Sequence, residues 1–256
     1  MINVVLSGCN GKMGNVVSSI VANDSGMKIV CGFDINTSAQ NGYPVVASPF
    51  EYSGGADAII DFSHPSSLAG LLDYAVKKQI PAVICTTGLS AEDIKLIKKA
   101  SKSVAVFFSA NMSLGINLLI DLAVRAAKFL EGSFDIEIIE KHHNQKIDSP
   151  SGTALAIADA VSEALSGEYE YVYDRHSVRR KRGANEIGIH AVRGGTITGD
   201  HSVIFAGKDE VIELKHQATS KEVFAVGAVR AAKYIAGKPA GLYDMKDLVS
   251  SLQEGL

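Results

Sequence analysis

The stretch Ile2-Asn3-Val4-Val5-Leu6-Ser7-Gly8-Cys9-Asn10-Gly11-Lys12-Met13-Gly14 governs the fold. Ile2 to Ser7 is a short apolar run rich in β-branched side chains, the composition of a strand covered on both faces. Glycines at 8, 11 and 14 then turn the chain into a helical pattern running from Lys12 to Ala22. A glycine loop between a first strand and a first helix lets the backbone approach a pyrophosphate, which the positive end of the helix attracts. The spacing departs from the common Gly-x-Gly-x-x-Gly, because Cys9 and Asn10 shift the first glycine one place earlier. The loop alone therefore does not separate a ligand site from a structural turn. Asp34 adds to it, ending a second apolar run about twenty residues beyond Gly14, where a carboxylate would accept hydrogen bonds from an adenosine ribose.

Outward from this stretch, short apolar runs alternate with helical patterns. Ile2 to Ser7, Lys28 to Phe33, Ala58 to Phe62, Ala82 to Cys85 and Val104 to Phe108 read as buried strands. Lys12 to Ala22, Ser66 to Lys78 and Ala91 to Ser101 read as helices. Such alternation predicts an α/β fold, a Rossmann-like doubly wound parallel sheet. The rhythm changes after Asn111. A long helix from Leu114 to Glu131, a strand from Phe134 to Glu140 and a helix from Thr153 to Leu165 precede three alternating runs, Glu186 to Arg193, Thr196 to Ala206 and Glu210 to Thr219. Their turns suggest an antiparallel meander in a second, α+β domain. A helix from Glu222 to Ile235, with Phe224, Ala228, Ala231 and Ile235 on one stripe, returns the chain to the first domain. The expected division is 1–112 plus 222–256 for dinucleotide binding and 113–221 for substrate binding and oligomerisation.

The 256 residues are 46% hydrophobic and carry a formal charge of −3, with a pI near 6.2. This composition gives no general attraction to nucleic acid or membrane and points to small-molecule partners. The basic run Arg179-Arg180-Lys181-Arg182 has no interleaved aromatics and reads as a solvated loop within the polar stretch Gly167 to Arg182, which is expected to be mobile. Cys9, Cys31 and Cys85 are odd in number and widely spaced, which suggests neither a disulfide framework nor a zinc site. The first apolar run lacks a basic leader and is too short for a signal peptide or a membrane span. A cytoplasmic protein is expected.

Chemistry concentrates in Glu140-Lys141-His142-His143-Asn144-Gln145-Lys146-Ile147-Asp148-Ser149-Pro150-Ser151-Gly152-Thr153. A strand leads into the histidines and an Ala-rich helix leaves them. Ser149 is expected as N-cap and Pro150 as first helical residue, which would leave the amides of Ser151, Gly152 and Thr153 to bind an anion, aided by the Thr153 hydroxyl. His142 and Lys146 are the acid/base candidates, since an imidazole titrates near neutrality and a desolvated ammonium donates a proton. A surface His-His-x-x-Lys is the dull alternative. Adjacent histidines on an extended chain point to opposite sides and no ligand set completes a site, so no metal is expected. Asp148 is expected to orient the loop. His64, His176, His190, His201 and His216 are expected at the surface or satisfied in the core.

Thr86-Thr87-Gly88 follows the fourth strand and Ser109-Ala110-Asn111-Met112 the fifth. In open parallel sheets the ligand crevice lies at the carboxyl ends of the strands, so both segments would face a cofactor. Asp34 would repel a 2′-phosphate and Ile35 offers no guanidinium to hold one, so NADH is the expected cofactor. Lys12, within the glycine loop, leaves NADPH open.

In this order the segments resemble the 4-hydroxy-tetrahydrodipicolinate reductase family, also called dihydrodipicolinate reductase, over nearly the whole chain. Glu140 to Thr153 is similar to the family signature Glu-x-His-His-x-x-Lys-x-Asp-x-Pro-Ser-Gly-Thr. The Gly-x-x-Gly-x-Met-Gly loop, Thr86-Thr87-Gly88 and Ala110-Asn111 support it. The resemblance implies that His142 is the acid/base residue, Lys146 a proton donor, His143 a substrate ligand, and Gly152 with Thr153 the clamp on one carboxylate of a dicarboxylate substrate. It places cofactor contacts on Gly8, Cys9, Asn10, Gly11, Lys12, Met13, Asp34, Cys85, Thr86, Thr87, Ser109, Ala110, Asn111 and Met112. It also implies a homotetramer built through the sheet of the second domain. Cys85 stands where a glycine is common and Met112 where an aromatic residue is common, and both would alter nicotinamide packing. The implied reaction adds the cofactor's hydride to a conjugated cyclic imine formed by loss of water, while an acid protonates the adjacent carbon. Two rivals are a nicotinamide oxidoreductase acting on a sugar or another imino acid, and a cofactor-sensing binding protein without turnover. The first is separated by the His142 to Thr153 segment and the second by turnover itself.

Overall fold

Period-two alternation of apolar side chains builds the first sheet, seen in a computed structural model that describes residues 1–38 and 41–253. In chain order the elements are β1 (Ile2–Ser7), α1 (Lys12–Ala22), β2 (Met27–Phe33), β3 (Val45–Val46), β4 (Ala58–Asp61), α2 (Leu68–Lys78), β5 (Ala82–Ile84), α3 (Ala91–Ala100) and β6 (Ala105–Phe108). They continue as α4 (Leu114–Leu130), β7 (Asp135–His142), α5 (Gly152–Ala164), β8 (Glu170–Val172), β9 (Glu186–Arg193), β10 (Gly199–Ala206) and β11 (Val211–Ala218). The chain closes with α6 (Glu222–Ile235), β12 (Gly241–Tyr243) and α7 (Met245–Gln253). Two units result, Met1–Leu114 with Glu222–Leu256, and Gly115–Lys221.

The first unit holds a wholly parallel seven-stranded sheet in the order β12-β6-β5-β4-β1-β2-β3. Val4, Leu6, Ile60, Val83 and Phe107 face a core shared with Val17 and Val21 of α1, with α6, and with Met245 and Leu248 of α7. Val5, Ile59, Ile84 and Val106 face the other way, toward Leu71, Leu72 and Tyr74 of α2 and Ile97 of α3. Both faces are covered, as a parallel sheet requires. The strand order reverses between β1 and β4, and crevices that take ligands in such sheets open at that reversal. The short strands β3 and β12 and the helix α7 lie outside the elements expected from sequence; the strands are too short to show a period, whereas α7 buries Met245, Leu248 and Val249 on one face.

The second unit is a five-stranded mixed sheet, β11-β10-β7-β9-β8, with one face packed against α4 and α5 through Ile136, Ile138, Ile187, Val203 and Phe205. The expected meander is corrected here. β10 and β11 form an antiparallel hairpin, but β7 lies between β10 and β9, antiparallel to the first and parallel to the second. Strand patterns reveal which face is buried, not which strand sits beside which, and the central place went to the earliest strand of the sheet. The stretch 167–182 is also not a bare loop. It contributes β8, while Arg175 and Arg180 pair with Glu186, and Arg182 donates to Asp135 and Glu137. Arg180 and Arg182 of the basic run are thus tied to carboxylates, while Arg179 and Lys181 are exposed.

Candidate active site

The parity of β7 is the starting point. Ile136, Ile138, Glu140 and His142 are its buried positions, so the face that is apolar at one end of the strand becomes polar at the other. A carboxylate at a core position must find partners. Register provides them: on the neighbouring strands His201 lies opposite Glu140 and Arg193 opposite His142. Glu140 Oε2 accepts from His142 Nδ1 and from Arg193 Nη1, each at 2.7 Å. Its Oε1 accepts from Arg193 Nη2 at 2.7 Å and from the Ser151 amide at 2.9 Å. Burial alone would push the Glu140 carboxyl up, but the hydrogen bonds from Arg193, His142 and Ser151 outweigh it and hold it below the usual carboxylate range.

The His201 ring meets His142 edge-on with centroids 5.2 Å apart, and its Nε2 lies 3.2 Å from Ser151 Oγ. Burial first, then the nearby His142, lowers its pKa to about 4, so the ring is neutral near pH 7. Treating His201 as one more surface or core histidine overlooked this contact, which follows from strand register rather than from local sequence. His142 and His143 do face opposite ways, the first buried and the second half-buried. Beyond them the loop turns back. His142 O accepts from the Gly194 amide, and Lys146 Nζ reaches Asp148 Oδ1 at 2.9 Å. That ion pair holds the Asp148 carboxyl below its ordinary value, and the Gly152 amide adds to the effect. Arg193 Nη2 donates to Asp148 O and so fastens the same loop.

The start of α5 differs from expectation. Ser149-Pro150 is a cis peptide, and the helix begins at Gly152 with Ser151 as N-cap, its hydroxyl accepting from the Ala154 amide at 3.1 Å. Both Ser149 and Ser151 suit a cap by residue type, and the pull of Glu140 on the Ser151 amide selects the second. The Ser151 amide is therefore consumed by the protein. Gly152, whose amide acts on the Asp148 carboxyl, and Thr153 form the first turn of the helix, with Lys146 on the preceding loop.

In the first unit, Gly8, Asn10, Gly11 and Asp34 line one cavity of about 880 Å³, together with Ile35 and His64. The size is that of a small-molecule or cofactor pocket. Gly8 has φ +74, and a Cβ there would lie 2.5 Å from Phe62 O; at Gly14 it would lie 2.2 Å from Gly8 O. Only glycine allows this close turn of strand into helix. Asp34 accepts from the Asn10 amide through Oδ2 and from the Asn36 amide through Oδ1, both at 3.0 Å. The cradle, the carboxylate and the cavity fit a dinucleotide.

Other residues from the sequence reading take different places. The Cys9 side chain is fully buried beside Gly32, leaving only its backbone toward the loop. Met13, Cys85 and Met112 pack into the core beneath the sheet. Lys12 is exposed as the first residue of α1. Thr86 is buried and donates to Asp61 Oδ2 at 2.6 Å, whereas Thr87 is exposed. Asp61 also accepts from Ser63, so one buried carboxylate joins the ends of β4 and β5; sequence reading passed over it as a strand residue. Burial pushes its pKa up against the bonds from Ser63 and Thr86. Ser109 donates to Asn111 O, Asn111 Oδ1 accepts from the Ser113 amide, and Ala110 is exposed in the same turn. Among the described residues, no group of three or more His, Cys, Asp or Glu is placed to hold a metal, and no helix is long and apolar enough to cross a membrane.

Comparison with known proteins agrees across the chain. Family models for the N-terminus and the C-terminus of dihydrodipicolinate reductase match residues 2–112 and 115–249. The chain is 53% identical to a 4-hydroxy-tetrahydrodipicolinate reductase of Caldanaerobacter subterraneus subsp. tengcongensis over 249 residues, covering 97% of this chain and 98% of the relative. It is 48% identical to the protein of the same name from Clostridium tetani, covering 98% of each. Among solved structures, a dipicolinate-bound dihydrodipicolinate reductase from Paenisporosarcina sp. TG-14 superposes with a TM-score of 0.80 at 24% identity, covering 95% of this chain and 97% of that one. This last likeness establishes the fold.

Proposed function

The chain belongs to the dihydrodipicolinate reductase family, and on that premise we propose that it reduces 4-hydroxy-tetrahydrodipicolinate, through dihydrodipicolinate, to tetrahydrodipicolinate in the diaminopimelate route to lysine. The observation that carries the reading is the family match over both units. The Lys146 ammonium and the buried His142 ring beside a helix start give it chemical support. A dicarboxylate substrate suits that helix start and ammonium, which a neutral substrate would not need. Gly152 and Thr153 hold one carboxylate, His143 assists, and Lys146 and His142 manage the proton delivered to carbon.

The bound nicotinamide supplies a hydride. Gly8, Asn10, Gly11 and the first turn of α1 hold its pyrophosphate, Asp34 its adenosine ribose, and the loops at Thr86–Thr87 and Ser109–Asn111 its nicotinamide half. NADH is the preferred cofactor, because Asp34 repels a 2′-phosphate while Ile35, 96% exposed, brings no positive charge. NADPH remains a second cofactor through Lys12. The protein works in the cytoplasm, where its three free, buried cysteines stay reduced. It assembles as a homotetramer through the edge strand β11, whose exposed Val211 and Ile212 are suited to burial.

The test is oxidation of NADH and NADPH by purified protein with freshly generated dihydrodipicolinate synthase product. Turnover only with that substrate is expected. Cofactor binding without turnover would return the chain to a sensing role.

A further inference from the structure

Glu140 has no place in the chemistry assigned to His142 and Lys146, yet it is fully buried and accepts four hydrogen bonds, as many as a carboxylate has lone-pair sites. We propose that Glu140 is a positioning residue that sets the His142 ring and the start of α5 together, coupling proton transfer to carboxylate binding. This rests on the roles given above to His142 and to Gly152 and Thr153.

The two oxygens divide the work. Oε2 faces His142 Nδ1, and an ionised carboxylate accepts only, so Nδ1 must carry the hydrogen. Any proton exchanged with substrate then sits at Nε2. That nitrogen lies next to Gly199 on β10, where a Cβ would come within 3.1 Å of it. Oε1 faces the Ser151 amide and fixes where α5 begins, which sets the direction of the Gly152 and Thr153 amides. Arg193 bridges both oxygens and through Nη2 also holds Asp148 O, at the far end of the loop bearing Lys146. A shift of Glu140 therefore moves acid, helix end and ammonium loop at once. A purely structural ion pair would lack this consequence, since a buried pair replaced by apolar residues of similar volume often leaves stability unharmed.

The experiment uses the full chain. Glu140→Gln puts an amide NH₂ where an acceptor oxygen was, so one of the two links must break. The double variant Glu140→Leu with Arg193→Met removes the pair and leaves no buried charge. For each, kcat and KM are measured separately, together with inhibition by pyridine-2,6-dicarboxylate, NADH binding and cooperative melting. Nitrogen-15 NMR reports the His142 tautomer. In wild type the Nδ1-protonated tautomer is expected. In variants that melt cooperatively and bind NADH, kcat should fall about tenfold to a hundredfold and dicarboxylate inhibition should weaken about tenfold, the range for hydrogen bonds to charged groups. Gly199→Ala, which crowds Nε2 from the other side, should lower kcat and leave dicarboxylate inhibition unchanged. Folded Glu140 variants within twofold of wild type on both measures, beside an inactive His142→Ala, would overturn the coupling alone. Normal turnover in His142→Ala would overturn the site assignment and the coupling with it. If neither Glu140 variant folds, an Nε2-protonated His142 in wild type overturns the proposal.

Discussion

Replacing His201 by Gln should remove a large part of the protein's loss of stability between pH 7 and pH 5. His201 is 3% exposed, against the His142 ring and Ser151 Oγ, with Glu140, His216 and Lys146 the other charged or titratable groups acting on it. Burial is the main reason its pKa falls to about 4 from the ordinary 6.5. Its Nδ1 is also buried without a hydrogen-bond partner among the described residues. The folded pKa is the lower one, so the unfolded chain binds more protons between these values and stability rises with pH there. The contribution is complete above about pH 6.5 and is lost as pH falls toward 4. At pH 5 the linkage amounts to about 2 kcal/mol. Gln keeps an amide to meet Ser151 Oγ and cannot protonate. Urea unfolding of both proteins at pH 7 and pH 5, with the NMR titration of His201 in wild type, tests the point. Wild type should lose about 2 kcal/mol more than the variant over this interval. Equal losses, or a titration near 6.5, would show that the ring is hydrated or that unfolding of the second unit is not what urea reports.

Lys146→Ala and His142→Ala should each lower turnover by about a hundredfold or more, the range for general acid/base groups, with NADH binding by fluorescence nearly unchanged. Near-normal turnover in both would remove the chemistry from this loop. Thr153→Val should raise the Michaelis constant and weaken pyridine-2,6-dicarboxylate by the equivalent of about 1.5–3 kcal/mol, one hydrogen bond to a charged group. Equal inhibition of both proteins would move the carboxylate elsewhere. NADH should be used at least as well as NADPH at low salt, and Asp34→Ala should shift the ratio of their kcat/KM values toward NADPH by roughly fivefold, or about 1 kcal/mol for a like-charge contact in water. A wild-type preference for NADPH would show that Lys12 dominates.

The first sheet was readable because each of its main strands alternates between two cores, and β-branched runs separated by amphipathic helices leave little other solution. Gly8 and Gly14 were equally legible, since only a close strand-to-helix turn needs a residue without a Cβ at those places. Strand neighbours in the second sheet were not. A strand's pattern carries no mark of its partner, so the parallel pairing of β7 with β9 and the meeting of Glu140 with Arg193 and His201 appear only in three dimensions. The helix start was misplaced by two residues for the same reason, because the bond that selects Ser151 comes from a side chain eleven positions away.

One signal was nonetheless present. Ile136, Ile138 and Glu140 share a parity in β7, so a strand buried on the isoleucine face had to bury the carboxylate too, and a buried carboxylate implies donors. Alternation along the strand is thus enough to mark the glutamate of the His-His segment as part of the site. The same parity sets the chemistry. A slip of one residue in β7 would turn Lys141 and His143 inward and send Glu140 and His142 to the opposite face, and the apolar contacts of Ile136 and Ile138 with α4 and α5 would be lost in the same step. The packing that stabilises the second unit is therefore also what orients the imidazole, so a core variant such as Ile138→Ala is expected to disturb the His142 tautomer as well as stability.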